Sequence, residues 1–343
     1  MRIKFIHIIF FLLFFVITAF VIIEHIEFPI PKGWSKPVYD FKSNPYSNEK
    51  IELGRSLFYD PLLSVNNSTS CASCHSPYNA FAHTDHQLSH GVFDSIGTRN
   101  APSLMNLAWQ KNFMWDGSID NLNEQSLTPL SHPSEMGERI EHVLSKLNNK
   151  IYYKTLCANA YGDSLITKER FLKSLAQFEV SLVSAESKYD SVIRHEANFT
   201  EQESNGYKIF KANCAACHQE PLFTNNSFKN NGLALNPALQ DFGRMKVTNL
   251  SKDSLSFKVP SLRNVEYSFP YMHDGRFTKL SEVIKHYTSP ISNDPNIAEE
   301  LKKRIELSSS ERVDLIAFLL TLSDRKFVFN PQHSFPKQLL NAQ

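Results

Sequence analysis

Two copies of the pattern C-x-x-C-H constrain this 343-residue chain more than any other feature. A single copy would fit a zinc half-site or a redox dithiol, but two complete copies behind an export-type N-terminus favour the attachment signature of c-type haem. In that signature both thiols form thioethers with haem vinyl groups, and the adjacent histidine ligates the iron. The sequence therefore predicts two covalently bound haems c, held by Cys71, Cys74 and His75 and by Cys214, Cys217 and His218.

The first residues form a candidate export segment. Arg2 and Lys4 precede a nearly uninterrupted apolar run over residues 5–23, which has the length that spans a bilayer. No small-x-small cleavage site follows the run, so a membrane anchor over residues 1–24 is favoured over a cleaved signal peptide. Either interpretation places the rest of the chain in the periplasm, and an anchor would hold it at the inner membrane.

The spacing of the motifs predicts two domains. Residues 25–48 contain four prolines and few apolar residues, which predicts an extended tether. A short helical pattern that ends in an aromatic residue precedes each motif, at 53–58 and at 206–210, and this repetition indicates an internal duplication. We therefore predict a mainly α fold of two tandem cytochrome c-like haem domains with long loops, over residues 49–199 and 200–343, preceded by the membrane segment.

Further helices follow from apolar spacing. Thr167 is a predicted N-cap for a helix that carries an apolar face through Leu182, and helical spacing recurs over 280–287. A last helix is predicted over 310–322, capped by serine. Between the motifs, residues 138–161 are also predicted to be helical, with a less regular pattern.

Composition excludes one class of partner and leaves one cysteine unassigned. The chain has 36 basic and 35 acidic residues with no polybasic run, so nothing favours binding to nucleic acid. Four of the five cysteines belong to the haem motifs. The fifth, Cys157, is predicted to be buried and inert, with a reactive role as the alternative.

A series of landmarks spans residues from about 48 to 326. They are Leu-Gly-Arg-Ser-Leu-Phe at 53–58, Arg99-Asn100-Ala-Pro-Ser-Leu, Trp115-Asp-Gly117, Glu135-Met136-Gly, Val-Pro-Ser-Leu-Arg-Asn at 259–264 and Pro270-Tyr-Met-His273-Asp-Gly275. In their order and intervals, the chain resembles the bacterial di-haem cytochrome c peroxidases. That family also contains a tryptophan-modifying di-haem enzyme of methylamine metabolism.

The resemblance implies different roles for the two haems. The haem on His75 would be the peroxidatic one, with Glu135 and Gln125 over its distal face, and Trp115 would relay electrons between the haems. Peroxide reduction needs an acid/base group that moves a proton between the two oxygens, which is the role implied for Glu135. The alternatives are structural: most glutamates lie at the surface, and an indole packs well in a core.

The second haem departs from the usual pattern of the family. The haem on His218 would store electrons, with a methionine as second iron ligand in typical members, but the equivalent position here is Tyr287. The tryptophan-modifying relative has a tyrosine ligand at that place. A phenolate would stabilise ferric iron and lower the reduction potential. Met272 and His286 are alternative ligands, and Tyr287 also fits a core position on an apolar helix face.

The resemblance implies two further sites. Some members bind a histidine on the distal side of the first haem at rest, and His90 is the nearest positional candidate; a loop histidine without a ligand role is the alternative. A calcium ion between the haems would use the side chain of Asn100 and the carbonyls of Ser268 and Pro270. Oxygen donors of these kinds suit a hard cation.

These residues support one leading hypothesis of function and two alternatives. The leading one is a cytochrome c peroxidase that reduces hydrogen peroxide to water, with electrons from a small c-type cytochrome or a copper protein that enter at the second haem. The first alternative is an enzyme that oxidises residues of a partner protein. The second is a non-catalytic electron carrier, which would need no distal acid/base group. The resemblance also allows a homodimer.

Overall fold

The computed structural model describes residues 26–291 and 294–341. The helices of the first half are α1 Asn48–Tyr59, α2 Cys71–Cys74, α3 Leu122–Gln125, α4 Leu127–Ser131, α5 Ile140–Asn148, α6 Ile151–Tyr161, α7 Lys168–Ser181 and α8 Lys188–Ile193. Those of the second half are α9 Glu201–Asn213, α10 Met245–Thr248, α11 Leu280–Thr288, α12 Ser309–Leu320 and α13 Arg325–Val328. A small antiparallel sheet pairs β1 Phe228–Lys229 with β2 Phe257–Lys258. The predicted mainly α-helical fold is confirmed.

Each half contains the same crossing of two helices. In the first half α1 packs on α7, and Gly54 meets the backbone carbonyl of Ser174. In the second half α9 packs on α12, and Gly206 meets the carbonyl of Asp314. A Cβ at either glycine would overlap the facing backbone, so only glycine allows the helices to approach this closely. The repeated crossing supports the predicted duplication. A haem motif follows the first helix of each crossing, after a short loop in the first half and directly in the second.

Local hydrogen bonds explain where the predicted helices begin. The hydroxyl of Thr167 accepts the backbone N–H of Arg170 and caps α7 as expected. The last long helix begins one residue before its predicted start, because Ser308 is its N-cap and forms a capping box with Glu311. It ends at Leu320 rather than at residue 322.

Two hydrophobic cores support the two halves, and the chain crosses between them. Tyr189, which lies in the first predicted domain, packs in the second core against Phe223 and Phe318. Phe327 and Leu339, near the end of the chain, pack in the first core. The halves are therefore interleaved at their ends, and each core includes residues from the other half of the chain.

Residues 26–47, which lie within the tether predicted over 25–48, are packed against the rest of the protein. The ring of Phe28 lies 5.5 Å from that of Trp109, and the ring of Trp34 lies 4.9 Å from it. The indole N–H of Trp109 donates to the carbonyl of Ser35 at 2.8 Å. The segment is extended, but its aromatic side chains bury apolar surface and so fasten it to the first half.

The predicted membrane segment, residues 1–24, lies outside the described residues. Within 26–291 and 294–341, no helix combines the length and the apolar character needed to cross a membrane. Export and anchoring at the inner membrane therefore stay predictions.

The close crossing of α9 and α12 makes a testable prediction. Gly206→Ala should lower the free energy of unfolding by about 1–3 kcal/mol, because the added methyl forces the two helices apart. Thermal or urea unfolding followed by circular dichroism measures the change. Lys208→Ala, at an exposed position of the same helix, is the matched control and should shift stability by less than about 0.5 kcal/mol. Equal stabilities of the two variants would contradict the crossing.

Candidate haem sites and the cavity that joins them

The first motif presents its histidine in one fixed tautomer. Cys71 and Cys74 bound the short helix α2, and His75 follows it directly. The Nδ1 of His75 lies 2.7 Å from the carbonyl oxygen of Phe81. Because a carbonyl can only accept, Nδ1 carries the hydrogen and Nε2 keeps its lone pair for a metal. Burial lowers the pKa of His75 to about 4, so the ring is neutral at ordinary pH, as an iron ligand must be.

The second motif repeats this arrangement. The Nδ1 of His218 lies 3.1 Å from the carbonyl oxygens of both Phe223 and Pro260. Burial lowers the pKa of this imidazole as well. Nε2 of His218 is therefore the atom left for iron, and the two motifs match in their proximal chemistry.

One cavity of about 560 Å³ connects the two motifs. Its lining includes His75 and His218 together with a cysteine of each motif and apolar side chains from both halves. All four motif cysteines are free thiols, so each is available for a thioether bond. Neutral imidazoles, paired free thiols and a largely apolar cavity are what two haems c require, so the residues fit the predicted groups.

The fifth cysteine lies apart from this cavity. Cys157 is fully buried on α6, and its thiol donates to the carbonyl of Leu165 at 3.3 Å. Burial raises its pKa, which keeps the thiol protonated and unreactive. The position is consistent with the inert role that the sequence suggested.

The predicted distal residues of the first haem share the cavity with His75. Glu135 and Gln125 both line it, together with Met114 and His132. The amide nitrogen of Gln125 lies 3.6 Å from the sulfur of Met114. Burial raises the pKa of Glu135, and the nearby His132 opposes that rise. A carboxyl with a raised pKa can exchange a proton nearer to neutral pH than an exposed glutamate can.

Trp115 lines the cavity that the two motifs share, and it is held at both its ring and its backbone. Its indole N–H donates to the carbonyl of Asn100 at 2.9 Å, and its own carbonyl accepts the backbone N–H of Lys258 at 2.7 Å. These contacts join residues from both halves. The indole therefore has a defined orientation relative to both haem sites.

A charge network beside Trp115 ties the halves together. The guanidinium of Arg99 donates to both carboxylate oxygens of Asp241, at 2.6 and 2.9 Å, and to Asp116 at 2.7 Å. Although burial of Asp241 acts in the opposite direction, its pairing with Arg99 lowers its pKa to about 2. Burial lowers the pKa of Lys258 to about 8. Its ammonium donates to the side chain of Gln110 at 2.7 Å.

Two candidate ligands of the second haem contact one amide. The side-chain nitrogen of Asn231 lies 3.2 Å from the phenol oxygen of Tyr287 and 3.5 Å from the sulfur of Met272. Both residues line the cavity. Burial raises the pKa of Tyr287 to about 12. The ring of His286 is turned elsewhere, because its Nε2 lies 3.0 Å from the carbonyl of Asn231 and the residue is not part of the cavity lining.

His90 is not brought to the cavity. Its ring stacks on that of His86, with centroids 4.0 Å apart, and both lie near His83. Its backbone carbonyl, in contrast, accepts from the thiol of Cys74 at 3.3 Å. The loop therefore passes beside the first motif, while the imidazole of His90 would have to turn from His86 to reach an iron.

The three predicted calcium ligands do line the cavity. They are Asn100, Ser268 and Pro270. The amide nitrogen of Asn100 donates to the carbonyl of Gln87 at 3.0 Å, which leaves the amide oxygen as the atom that a cation would use. Within the part of the chain that the structure describes, no cluster of three or more His, Cys, Asp or Glu side chains is arranged to hold a metal ion. A cation here would depend on amide and carbonyl oxygens.

Several residues of the site were not predicted from the sequence. They are Met114, Lys258, Asn231 and the acidic partners of Arg99, namely Asp116 and Asp241. Arg99 and Asp116 stood within recognised landmarks, so their position was a usable signal. Asn231 and Asp241 lie in irregular loops without a motif. Only the folded chain brings Asn231 to the cavity and Asp241 to Arg99.

Comparison with known proteins agrees with this geometry. The family model for di-haem cytochrome c peroxidase matches residues 48–198, and that for cytochrome c matches residues 203–323. The methylamine utilization protein MauG of Methylorubrum extorquens is 37% identical over 82% of this chain and 80% of its own. The cytochrome c551 peroxidase of Nitrosomonas europaea is 31% identical over 84% of each chain.

Solved structures show the same architecture. A MauG-like protein associated with microbial copper homeostasis superposes with a TM-score of 0.81 at 30% identity, over 91% of this chain and 99% of the other. The di-haem peroxidase BthA of Burkholderia thailandensis shares the fold, with a TM-score of 0.73 over 85% of this chain and 91% of the other, at 24% identity. The chain is thus a tandem c-type di-haem protein. It belongs to the di-haem cytochrome c peroxidase family, which carries two c-type haems.

Haem counting tests the assignment of the motifs. Replacing Cys71 and Cys74 together by alanine should halve the covalently bound haem, and so should replacing Cys214 and Cys217, because each pair holds one group. Mass spectrometry of the intact protein and the absorbance of its pyridine haemochrome measure the content. Cys157→Ala is the control and should retain two haems. Two haems in either double variant would contradict the assignment.

Proposed function

We propose that this protein is a peroxidase that reduces hydrogen peroxide at the first haem site. The observation that carries the proposal is that Glu135, Gln125 and His75 line one cavity, which continues past Trp115 to His218. When bound, the haems supply iron for peroxide binding and for electron exchange. The overall reaction consumes one H2O2, two protons and two electrons and yields two waters.

Glu135 acts as the acid/base group. Its carboxylate takes a proton from the oxygen of H2O2 nearer the first haem and returns that proton to the departing oxygen, which leaves as water. Burial supports this role, because it raises the pKa of Glu135 and so makes its carboxylate a stronger base toward the proton of H2O2. Gln125 orients the peroxide through its side-chain amide, which has only a weak contact to sulfur to give up.

Electrons enter at the second haem and pass through Trp115. The orientation of the indole, held by Asn100 and Lys258, supports a relay between the two sites. A small c-type cytochrome or a copper protein supplies the electrons, in the periplasm. The chain is anchored there at the inner membrane by residues 1–24, or it is exported with a cleaved signal. We further propose a calcium ion at Asn100, Ser268 and Pro270, which would stiffen the loops around Trp115.

A second function is favoured by one specific observation. By its interval from His273, Tyr287 stands where the resemblance leads us to expect a methionine ligand of the second haem. Tyr287 lines the cavity, and Met272 contacts the same amide of Asn231. A phenolate ligand would lower the potential of the second haem and would suit an enzyme that oxidises residues of a partner protein. The identity of 37% with a methylamine utilization protein supports this alternative to the same degree as the peroxidase relatives support the first.

Removing the acid/base group tests the peroxidase. Glu135→Gln should slow peroxide-dependent oxidation of reduced cytochrome c by about 10²–10⁴-fold, because the amide cannot take a proton. In the unaltered protein the rate should fall as the pH drops through the raised pKa of Glu135, and the variant should lose this dependence. Stopped-flow absorbance measures both effects.

The control for this experiment is Glu141→Gln, a change of an exposed carboxylate on α5. It should leave the rate and its pH dependence unchanged. If peroxide changes the haem spectrum of the unaltered protein but reduced cytochrome c is not oxidised, the result would favour the enzyme that oxidises residues of a partner protein. If the protein does not react with peroxide in any redox state, a non-catalytic electron carrier would be the remaining hypothesis.

The ligand of the second iron has its own test. Tyr287→Phe should alter the absorption and electron paramagnetic resonance spectra of the second haem and raise its reduction potential, because the phenolate is lost. Tyr78→Phe, at an exposed tyrosine, is the control. Unchanged spectra in Tyr287→Phe, together with altered spectra in Met272→Leu, would assign the ligand to Met272 instead.

A further inference from the structure

Protons from solvent need a route into the cavity, because the proposed reaction consumes two of them for each peroxide. Glu135 returns the proton that it removes from H2O2, so on balance it supplies neither. The residue is itself half-buried in the lining of the cavity. A group beside Glu135 that exchanges protons with water would provide the route.

His132 lies where the cavity meets solvent. It lines the cavity together with Glu135, and it is exposed. Among the titratable residues of the lining that the structure describes, one other, Glu300, is exposed. Glu300 is paired with Lys229 at 2.8 Å, and its charge acts on Cys217 of the second motif. At the first site, His132 is therefore the titratable side chain that borders both water and the cavity.

A tight turn fixes the positions of His132 and Glu135 relative to each other. The backbone carbonyl of His132 accepts the N–H groups of Glu135 and Gly137, each at 3.0 Å. From the neighbouring loop, the backbone N–H of Val92 donates to the carbonyl of Glu135 at 2.8 Å. The turn is thus held from two sides, and both side chains start from defined places.

The two side chains also act on each other electrostatically. Burial raises the pKa of Glu135, and His132 opposes that rise. The thiols of Cys71 and Cys74 lie within range of the charge of Glu135 as well, but thioether bonds to the haem would consume both. The cationic form of His132 therefore lies beside a carboxyl group that can receive its proton.

The imidazole of His132 is held in the turn by one nitrogen. Its Nδ1 accepts the backbone N–H of Ser134 at 3.2 Å, so the neutral ring carries its hydrogen on Nε2. Protonation of the ring costs only this one long hydrogen bond. Histidine is the side chain that gains and loses a proton near neutral pH, which is what a relay to solvent requires.

We propose that His132 relays protons from solvent to Glu135 during turnover. The imidazolium transfers the proton on Nε2 to a carboxylate oxygen of Glu135, and Nε2 then takes a proton from water. Glu135 passes its proton to the second oxygen of the peroxide, which leaves as water once it has received two protons and two electrons. Two transfers complete one turnover, and both residues end as they began. The relay deepens the proposed function and rests on it.

A purely structural role of the ring is the alternative, and His132→Asn separates the two roles. An asparagine side chain accepts the backbone N–H two residues further on, so it keeps the bond to Ser134 but cannot relay a proton. His132→Ala removes both the bond and the relay. The control is His142→Gln, which changes an exposed histidine outside the cavity lining.

Stopped-flow absorbance of the full-length protein with both haems tests the relay in two steps. The first reaction with H2O2 uses a proton that Glu135 takes and returns, so its rate should be the same in His132→Asn and the unaltered protein. Steady-state oxidation of reduced cytochrome c needs protons from solvent, so kcat should fall by about tenfold in both His132→Asn and His132→Ala. Added imidazole should restore kcat in His132→Ala, and His142→Gln should leave it unchanged.

Two results of this experiment would overturn the proposal. One is a kcat in His132→Asn equal to that of the unaltered protein. The other is a first reaction with H2O2 that is slowed as much as kcat in His132→Asn, because the side chain would then act on the position of Glu135 and not on the supply of protons.

A second measurement does not depend on peroxide. After a pH jump, time-resolved infrared absorption follows the carboxyl stretch of Glu135, which is identified by its loss in Glu135→Gln. Protonation of Glu135 should be about tenfold slower in His132→Asn and unchanged in His142→Gln. Equal rates in His132→Asn and the unaltered protein would contradict the relay. If the unaltered protein does not turn over peroxide, the proposed function fails, and these infrared rates still decide whether His132 delivers protons to Glu135.

Discussion

The ion pairs of Arg99 are the constraint on which the arrangement of the site depends. Its guanidinium joins Asp116, next to Trp115, to Asp241 in the second half of the chain. Buried charges are tolerated only when they are paired, so the two halves cannot separate without exposing or orphaning these groups. The neighbouring Asn100 uses its backbone to hold both Trp115 and His273. Residues that are far apart in the chain thereby meet around one indole.

Around that centre, the two haem sites are alike on one side and different on the other. Both histidines donate through Nδ1 to a backbone carbonyl, which prepares Nε2 for iron in the same way. The other side of the first site offers a carboxyl with a raised pKa, whereas the second offers a phenol and a thioether beside one amide. This difference is the basis of the proposal that peroxide reacts at the first site and that electrons enter at the second.

How far the sequence predicted the structure depended on the range of the interactions involved. The cap of α7 at Thr167 and the helices before each motif follow from neighbours in the chain, and they were predicted. The segment before α1 was predicted as a tether from its proline content, which gives no information about apolar partners that are distant in sequence. In the structure its aromatic rings pack on Trp109. His90 lies near the first motif in sequence, but ring stacking on His86 turns its side chain away.

By itself, the sequence determined that this protein holds two haems c, since thioether attachment and proximal ligation are encoded within five consecutive residues of each motif. Only the tertiary structure decided that both motifs open into one cavity, which Trp115 also lines. It also decided that Asp116 and Asp241 meet at Arg99. The physical reason is that these contacts join residues from separate helices and loops, and their positions follow from how two interleaved cores pack and from no local pattern.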